Sequence, residues 1–212
     1  GDGTHTCMYN PLTSETLDAF SSITTPRKIT LIAPNGSDTK VVLNAENPLT
    51  GFSIPSMKLS SLKNTKGDEL FTRTYYPLNM DSTKKYPVIV YVYGGPHVQL
   101  ITNSWQGGQG DLWFYFLAQE GYIVFTLDSR GSGNRGKKFE QAIFRNPGVT
   151  EMEDQMTGVS YLKSLPYVDA NRIGIDGWSY GGFMATSLLT RQPGVFKVAV
   201  AGGPVIDWSY YE

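Results

Sequence analysis

Hydrophobic and polar positions change rhythm twice along this chain. Up to about residue 50 the apolar residues come in short β-branched groups: Phe20-Ser21-Ser22-Ile23-Thr24, Lys28-Ile29-Thr30-Leu31-Ile32 and Lys40-Val41-Val42-Leu43. Each reads as a strand, and Pro34-Asn35-Gly36-Ser37 between the last two carries hairpin chemistry. Two or three such strands cannot bury a core alone. The polar stretch Ala45 to Gly51 is the best boundary in the sequence. Met57-Lys58-Leu59-Ser60-Ser61-Leu62 and Glu69 to Tyr76, joined by Asn64-Thr65-Lys66-Gly67-Asp68, predict a second hairpin opening an antiparallel edge.

The second change comes at Pro87. The runs 87–93 and 122–127 are continuously apolar, the signature of strands buried on both faces. Helical spacing over Asp111 to Gln119 separates them, and Glu151 to Leu165 predicts another helix. Ile173 and Ile175 mark a buried strand end, Phe183 to Leu189 a helix, and Phe196 to Ala201 a further strand. Strands alternating with helices imply a doubly wound parallel sheet, an α/β fold.

The junction at Ile173 to Gly182 is the richest in chemistry. Gly177-Trp178-Ser179-Tyr180-Gly181 is G-x-S-x-G, which is weak as a bare pattern. Between a buried strand and a helix it is the nucleophile elbow of α/β-hydrolases. Side chains at Gly177 or Gly181 would collide where strand and helix fold back on each other. The turn exposes the Ser179 hydroxyl beside N–H groups at the positive end of a helix.

Tyr91-Val92-Tyr93-Gly94-Gly95-Pro96-His97 follows the first buried parallel strand. A Gly-rich loop there supplies half of an oxyanion hole in such hydrolases. An ordinary β-to-α turn fits these residues equally well. The only histidines, His5 and His97, both precede Ser179, whereas the triad of this layout runs serine, acid, histidine. His97 sits on the wrong element to be the base, and His5 on a loose N-terminus. The chain thus names a nucleophile without its base and reads as a piece of an enzyme. Asp207 lies early for the triad acid and is expected to cap locally. Asp128 to Gly136 holds G-x-G but lacks the third glycine of a phosphate loop, so a turn after a strand is expected. Glu151, Glu153 and Asp154 crowd a helix start, where carboxylates favour the dipole; without histidine at ligand spacing they argue for no metal site.

Composition narrows the classes. Among 212 residues, 40% are hydrophobic and 17% charged, as in a globular protein. A net charge of −1 gives no reason to expect nucleic acid or an anionic membrane as partner. Cys7 is the only cysteine, so no internal disulfide can form, and no apolar run reaches the length of a membrane span. The start, Gly-Asp-Gly-Thr-His, is not a signal peptide.

Five motifs in order carry a resemblance: Val92-Tyr93-Gly94-Gly95-Pro96, Asp128-Ser129-Arg130-Gly131-Ser132-Gly133, Glu153-Asp154-Gln155, Gly177 to Gly182, and Gly203-Pro204-Val205-Ile206-Asp207-Trp208. Together the chain resembles the dipeptidyl peptidase IV and prolyl tripeptidyl peptidase branch of the prolyl oligopeptidase family. The resemblance is specific from about residue 52 and loose before it. It implies that residues 1–50 are the last strands of a β-propeller blade and a linker. Residues 51–212 would be the N-terminal part of an α/β-hydrolase domain, incomplete at its C-terminal side. The implied activity is release of N-terminal X-Pro or X-X-Pro units from proline-containing peptides through an acyl-enzyme, with no cofactor. Ser179 matches the nucleophile, the Tyr93 phenol one oxyanion donor and the Tyr180 N–H the other. Tyr180, Val205, Trp208 and Tyr211 match the walls of a proline-sized pocket. The family also implies a homo-oligomer in the intact enzyme and a periplasmic or secreted location. An acyl esterase using the same elbow and a non-catalytic binding homologue are the alternatives. The 212-residue chain alone is expected to show little or no peptidase activity.

Overall fold

The computed structural model describes residues 1–107 and 111–210. The chain divides into two compact units, one of residues Gly1–Ile54 with Thr102–Trp113 and one of Pro55–Ile101 with Phe114–Glu212.

The first unit is a four-stranded antiparallel sheet in the order β1-β2-β3-β4. Its strands are β1 (Thr4–Tyr9), β2 (Thr16–Ser22), β3 (Thr25–Ile32) and β4 (Asp38–Asn44). Two features depart from the sequence reading. The N-terminus is not loose, since β1 pairs with β2 from Thr4 against Ser21 to Tyr9 against Thr16. Ile23 and Thr24 form the β2–β3 turn rather than strand, and the Ser22 hydroxyl accepts from the Thr24 N–H at 3.3 Å. The Pro34–Ser37 turn is as expected: the Ala33 N–H donates to the Ser37 carbonyl and the Gly36 N–H to that of Ala33.

The second unit holds a six-stranded sheet in the order β10-β9-β7-β8-β6-β5. The hairpin β5 (Met57–Lys63) and β6 (Glu69–Tyr75) forms the antiparallel edge, with β6 joined antiparallel to β8 (Ile123–Leu127). β8, β7 (Tyr86–Tyr91), β9 (Val168–Trp178) and β10 (Val198–Gly202) run parallel. Among the described residues four α-helices accompany the strands: α1 (Asp111–Gln119), the short α2 (Lys137–Glu140), α3 (Thr150–Ser164) and α4 (Tyr180–Arg191).

All five residues of β8 are buried, as its continuous apolar run requires. One core cluster joins Val88, Val90, Ile123, Phe125, Ile173 and Ile175 of the sheet to Val159 and Leu162 of α3 and Met184 and Leu188 of α4. A second packs Tyr75 and Val124 against Phe114, Tyr115 and Ala118 of α1. This is the doubly wound arrangement, with apolar helix faces against the strands. At the end of the sheet β10 leaves Val198 and Val200 about three-fifths exposed. No helix among the described residues is long and apolar enough to cross a membrane.

The loop after β8 is locked by a buried ion pair. The Arg130 guanidinium donates from Nε to Asp154 Oδ2 at 2.9 Å and from Nη2 to Oδ1 at 2.8 Å, and to Glu153 at 3.1 Å. Asp154 also accepts from the Asn64 side chain at 3.1 Å. One carboxylate thereby ties α3 to the β5–β6 turn and to the β8 loop. Asp128 to Gly136 is a turn, as expected, but its Arg130 is buried.

Candidate active site

Ser179 lies between β9 and α4 with φ 59° and ψ −116°, strained backbone for a residue with a Cβ. Three close approaches impose the turn. A Cβ on Gly177 would overlap the Gly181 carbonyl and come within 2.7 Å of the Val92 oxygen; one on Gly181 would overlap that same oxygen. One on Gly182 would reach the Gly202 oxygen at 2.7 Å. The end of β7, the end of β9 and the start of α4 therefore meet where only glycine fits. The Ser179 N–H donates to the Gly202 carbonyl at 2.8 Å, and the Phe183 N–H to the Ser179 carbonyl at 3.1 Å. No acidic residue occupies the first turn of α4, so the positive helix end beside Ser179 is not neutralised from within its own helix.

The loop after β7 brings in Tyr93. Its backbone turns left-handed at Gly94 (φ 74°) and at His97 (φ 64°). A Cβ on Gly95 would stand 2.5 Å from the Tyr93 ring and 3.0 Å from Cγ of Tyr180. The backbone thus passes between the two tyrosines, whose ring centroids are 6.1 Å apart. Beyond them the Tyr180 ring meets Trp208 at 5.3 Å and Phe183 at 5.4 Å, and Phe183 meets Trp208 edge-on at 5.2 Å. Tyr180 and Trp208 also border a cavity of about 470 Å³, lined further by Pro96, His97, Ile143, Phe144 and Pro147 among others. Val205 is half-buried in the stretch between β10 and Trp208. Tyr211 lies outside the described residues.

The other candidates have partners of their own. His97 is mostly exposed, with Nδ1 3.8 Å from a Glu140 oxygen. His5 is on β1, donating to Asp18 at 2.8 Å. Asp207 caps locally, accepting from the Ser209 N–H at 2.9 Å and its hydroxyl at 2.8 Å.

The sequence reading passed over Glu151. It assigned this carboxylate to the helix dipole, yet Glu151 is fully buried. It accepts from the Gly148 N–H at 3.0 and 3.1 Å and from the Tyr180 phenol. Burial, and then the bond to Glu151, push the Tyr180 phenol far above its ordinary pKa, so it stays a neutral donor. The signal was present: with Met152, the buried residues of α3 are Glu151, Asp154, Gln155, Gly158, Val159 and Leu162, these six spaced i, i+3, i+4, i+7, i+8 and i+11. Acids on that stripe had to find partners inside the protein.

A serine on a strained elbow, a helix N-terminus behind it, and a phenol-bearing ring beside the next residue form a constellation suited to acyl transfer. The model of the prolyl oligopeptidase family matches residues 110–212. Dipeptidyl peptidase 8 of Mus musculus is 39% identical over 176 residues, covering 81% of this chain and 19% of that protein. The structure of a protein from Bacteroides ovatus assigned as a dipeptidyl aminopeptidase IV superposes with a TM-score of 0.94 at 49% identity, covering 99% of this chain and 30% of that one. Dipeptidyl peptidase 4 of Porphyromonas gingivalis superposes at 0.92 with 30% identity, over the same shares. The chain spans about a fifth of the length of the curated relatives it matches.

Proposed function

The chain belongs to the prolyl oligopeptidase family, and from that premise we propose that it carries the nucleophile and oxyanion donors of a serine exopeptidase releasing X-Pro from peptide N-termini. Residues 1–50 are then the end of a propeller blade with its linker, and residues 51–212 the N-terminal part of the catalytic domain. Ser179 Oγ attacks the carbonyl carbon of the proline residue. The carbonyl oxygen becomes an oxyanion and takes hydrogen bonds from the Tyr180 N–H and the Tyr93 phenol. Collapse of the intermediate breaks the C–N bond, the amine leaving with the proton that the base took from Ser179; water then hydrolyses the acyl-enzyme, releasing the X-Pro acid and restoring the Ser179 hydroxyl. One such donor is worth about 3 kcal/mol of barrier. Val205, Trp208, Tyr211 and the Tyr180 ring wall the pyrrolidine, which is apolar, rigid and without an N–H to satisfy. His5 pairs with Asp18 and His97 faces Glu140, so the proposal assigns the base to neither and puts it outside this sequence. The intact enzyme is proposed to act as a homo-oligomer, which light scattering would measure.

The observation that carries this reading is the Ser179 elbow with the Tyr93 and Tyr180 rings flanking Gly95 beside it. The test compares Gly-Pro and Gly-Leu anilides and an aryl ester on the full-length protein, with fluorophosphonate labelling. Ser179→Ala should cut turnover by about 10⁴-fold or more and end labelling, and Tyr93→Phe should cost about tenfold to a thousandfold with folding unchanged. Ester cleavage without Gly-Pro cleavage overturns the peptidase reading.

A further inference from the structure

Hiding an ionised carboxylate from water costs several kcal/mol unless partners compensate. Asp154 is compensated by Arg130. Glu151 has no cationic partner among the described residues; its carboxylate accepts from the Gly148 N–H and the Tyr180 phenol at the start of α3. Glu151 also reaches the other side of the site, because its Cβ lies 3.6 Å from where a Gly94 Cβ would stand. One buried side chain thus bonds the residue after Ser179 and lies beside the residue after Tyr93. A ring that only walled a pocket would need no phenol, and phenylalanine would serve. The phenol is instead spent on a buried carboxyl group, which fixes the orientation of Tyr180 and hence of its backbone N–H.

We propose that Glu151 is a positioning residue of the oxyanion site: it holds Tyr180 by its phenol and, lying beside Gly94, keeps the carriers of both donors in register. This rests on the acyl-transfer reading above. Glu151 itself touches no substrate. Because the tie acts on transition-state stabilisation, its loss should appear in kcat and in the rate of Ser179 acylation more than in KM.

The experiment uses the full-length protein with Glu151→Ala, Glu151→Gln, Tyr180→Phe and the Glu151→Ala/Tyr180→Phe pair. It reads kcat and KM on a Gly-Pro anilide, the fluorophosphonate labelling rate and the thermal midpoint. Glu151→Ala should slow both kcat and labelling by about thirtyfold, with KM within about threefold. Glu151→Gln keeps an acceptor oxygen and should restore both to within about fivefold of the parent. Tyr180→Phe keeps the ring and the N–H and should slow both by about tenfold; adding Glu151→Ala to it should cost far less than in the parent. Parent-like kcat and labelling in Glu151→Ala, or losses that simply multiply in the pair, overturn the proposal. Should Glu151→Ala fail to fold, Tyr180→Phe decides, and parent-like rates there overturn it. A parent that is labelled but cleaves no X-Pro substrate overturns the peptidase reading alone, because the labelling rates still decide the role of Glu151.

Discussion

The two sheets spend their side chains differently. Among the described residues, every buried hydrophobic lies in the second unit, whereas the buried residues of the first are Asp18, Ser22, Thr30 and Gln106, all polar. Met8, Tyr9, Val41, Val42 and Leu43 of the antiparallel sheet are exposed. That sheet stands on backbone pairing and polar contacts, while the parallel sheet stands on a packed interior that also holds the site. Alternation along a strand therefore does not by itself locate a core; continuous apolar runs and helix stripes do.

Breaking the Arg130–Asp154 pair should produce the largest effect on stability. Asp154→Ala leaves a guanidinium that is 9% exposed without its main partner, and should lower the stability of the parallel-sheet unit by about 3–5 kcal/mol in denaturant melts. A loss under about 1 kcal/mol would show the pair to be replaceable by water.

The contrast sharpens with one truncation in each unit. Leu188→Ala, at a fully buried position of α4, should cost about 2–5 kcal/mol. Leu43→Ala on β4, 41% exposed, should cost less than about 0.5 kcal/mol. Similar costs for the two would erase the distinction.

The smallest effect is a pH dependence confined to the first unit. The hydrogen bond to Asp18, then that to the Gly1 carbonyl, raises the His5 pKa above its ordinary 6.5. A raised imidazole pKa means the folded state holds the proton more tightly than the unfolded one. Its contribution is complete below pH 6.5 and disappears as pH rises through the raised value. An NMR titration of His5 should show the upward shift, and Asp18→Asn should remove most of it. An unshifted His5 would mean that the pair is absent in solution.

Much of the second unit was legible because burial on both faces leaves uninterrupted apolar runs, as in β8; β7 carries such a run although only Val88 and Val90 are fully buried. The Ser179 elbow was legible because its glycines stand at fixed spacing. β1 was not: all six of its residues are exposed, so an edge strand held by backbone bonds left no pattern of side chains to read. Ile23 and Thr24 misled because β-branched residues favour strands while a tight connection needed a turn. The approach of Tyr93 to Tyr180 came from motif resemblance and not from periodicity, since loops converge through contacts distant in sequence. Glu151 was misread because an acid at a helix start has a sufficient local explanation, and only its place on the buried stripe argued otherwise.

The meeting of Gly177, Gly181 and the Val92 oxygen has a consequence for the order of folding. Val92 precedes Gly177 by a long stretch that includes β8 and α3, so no local peptide can build the elbow. β9 must first find β7, and β10 must arrive to receive the Ser179 N–H on Gly202. Such long-range pairings close late, after the entropy of the intervening chain has been lost. Ser179 is then among the last parts to assemble and opens only with the sheet. Amide hydrogen exchange at Ser179 should accordingly follow the opening of the whole parallel sheet rather than fraying at the start of α4.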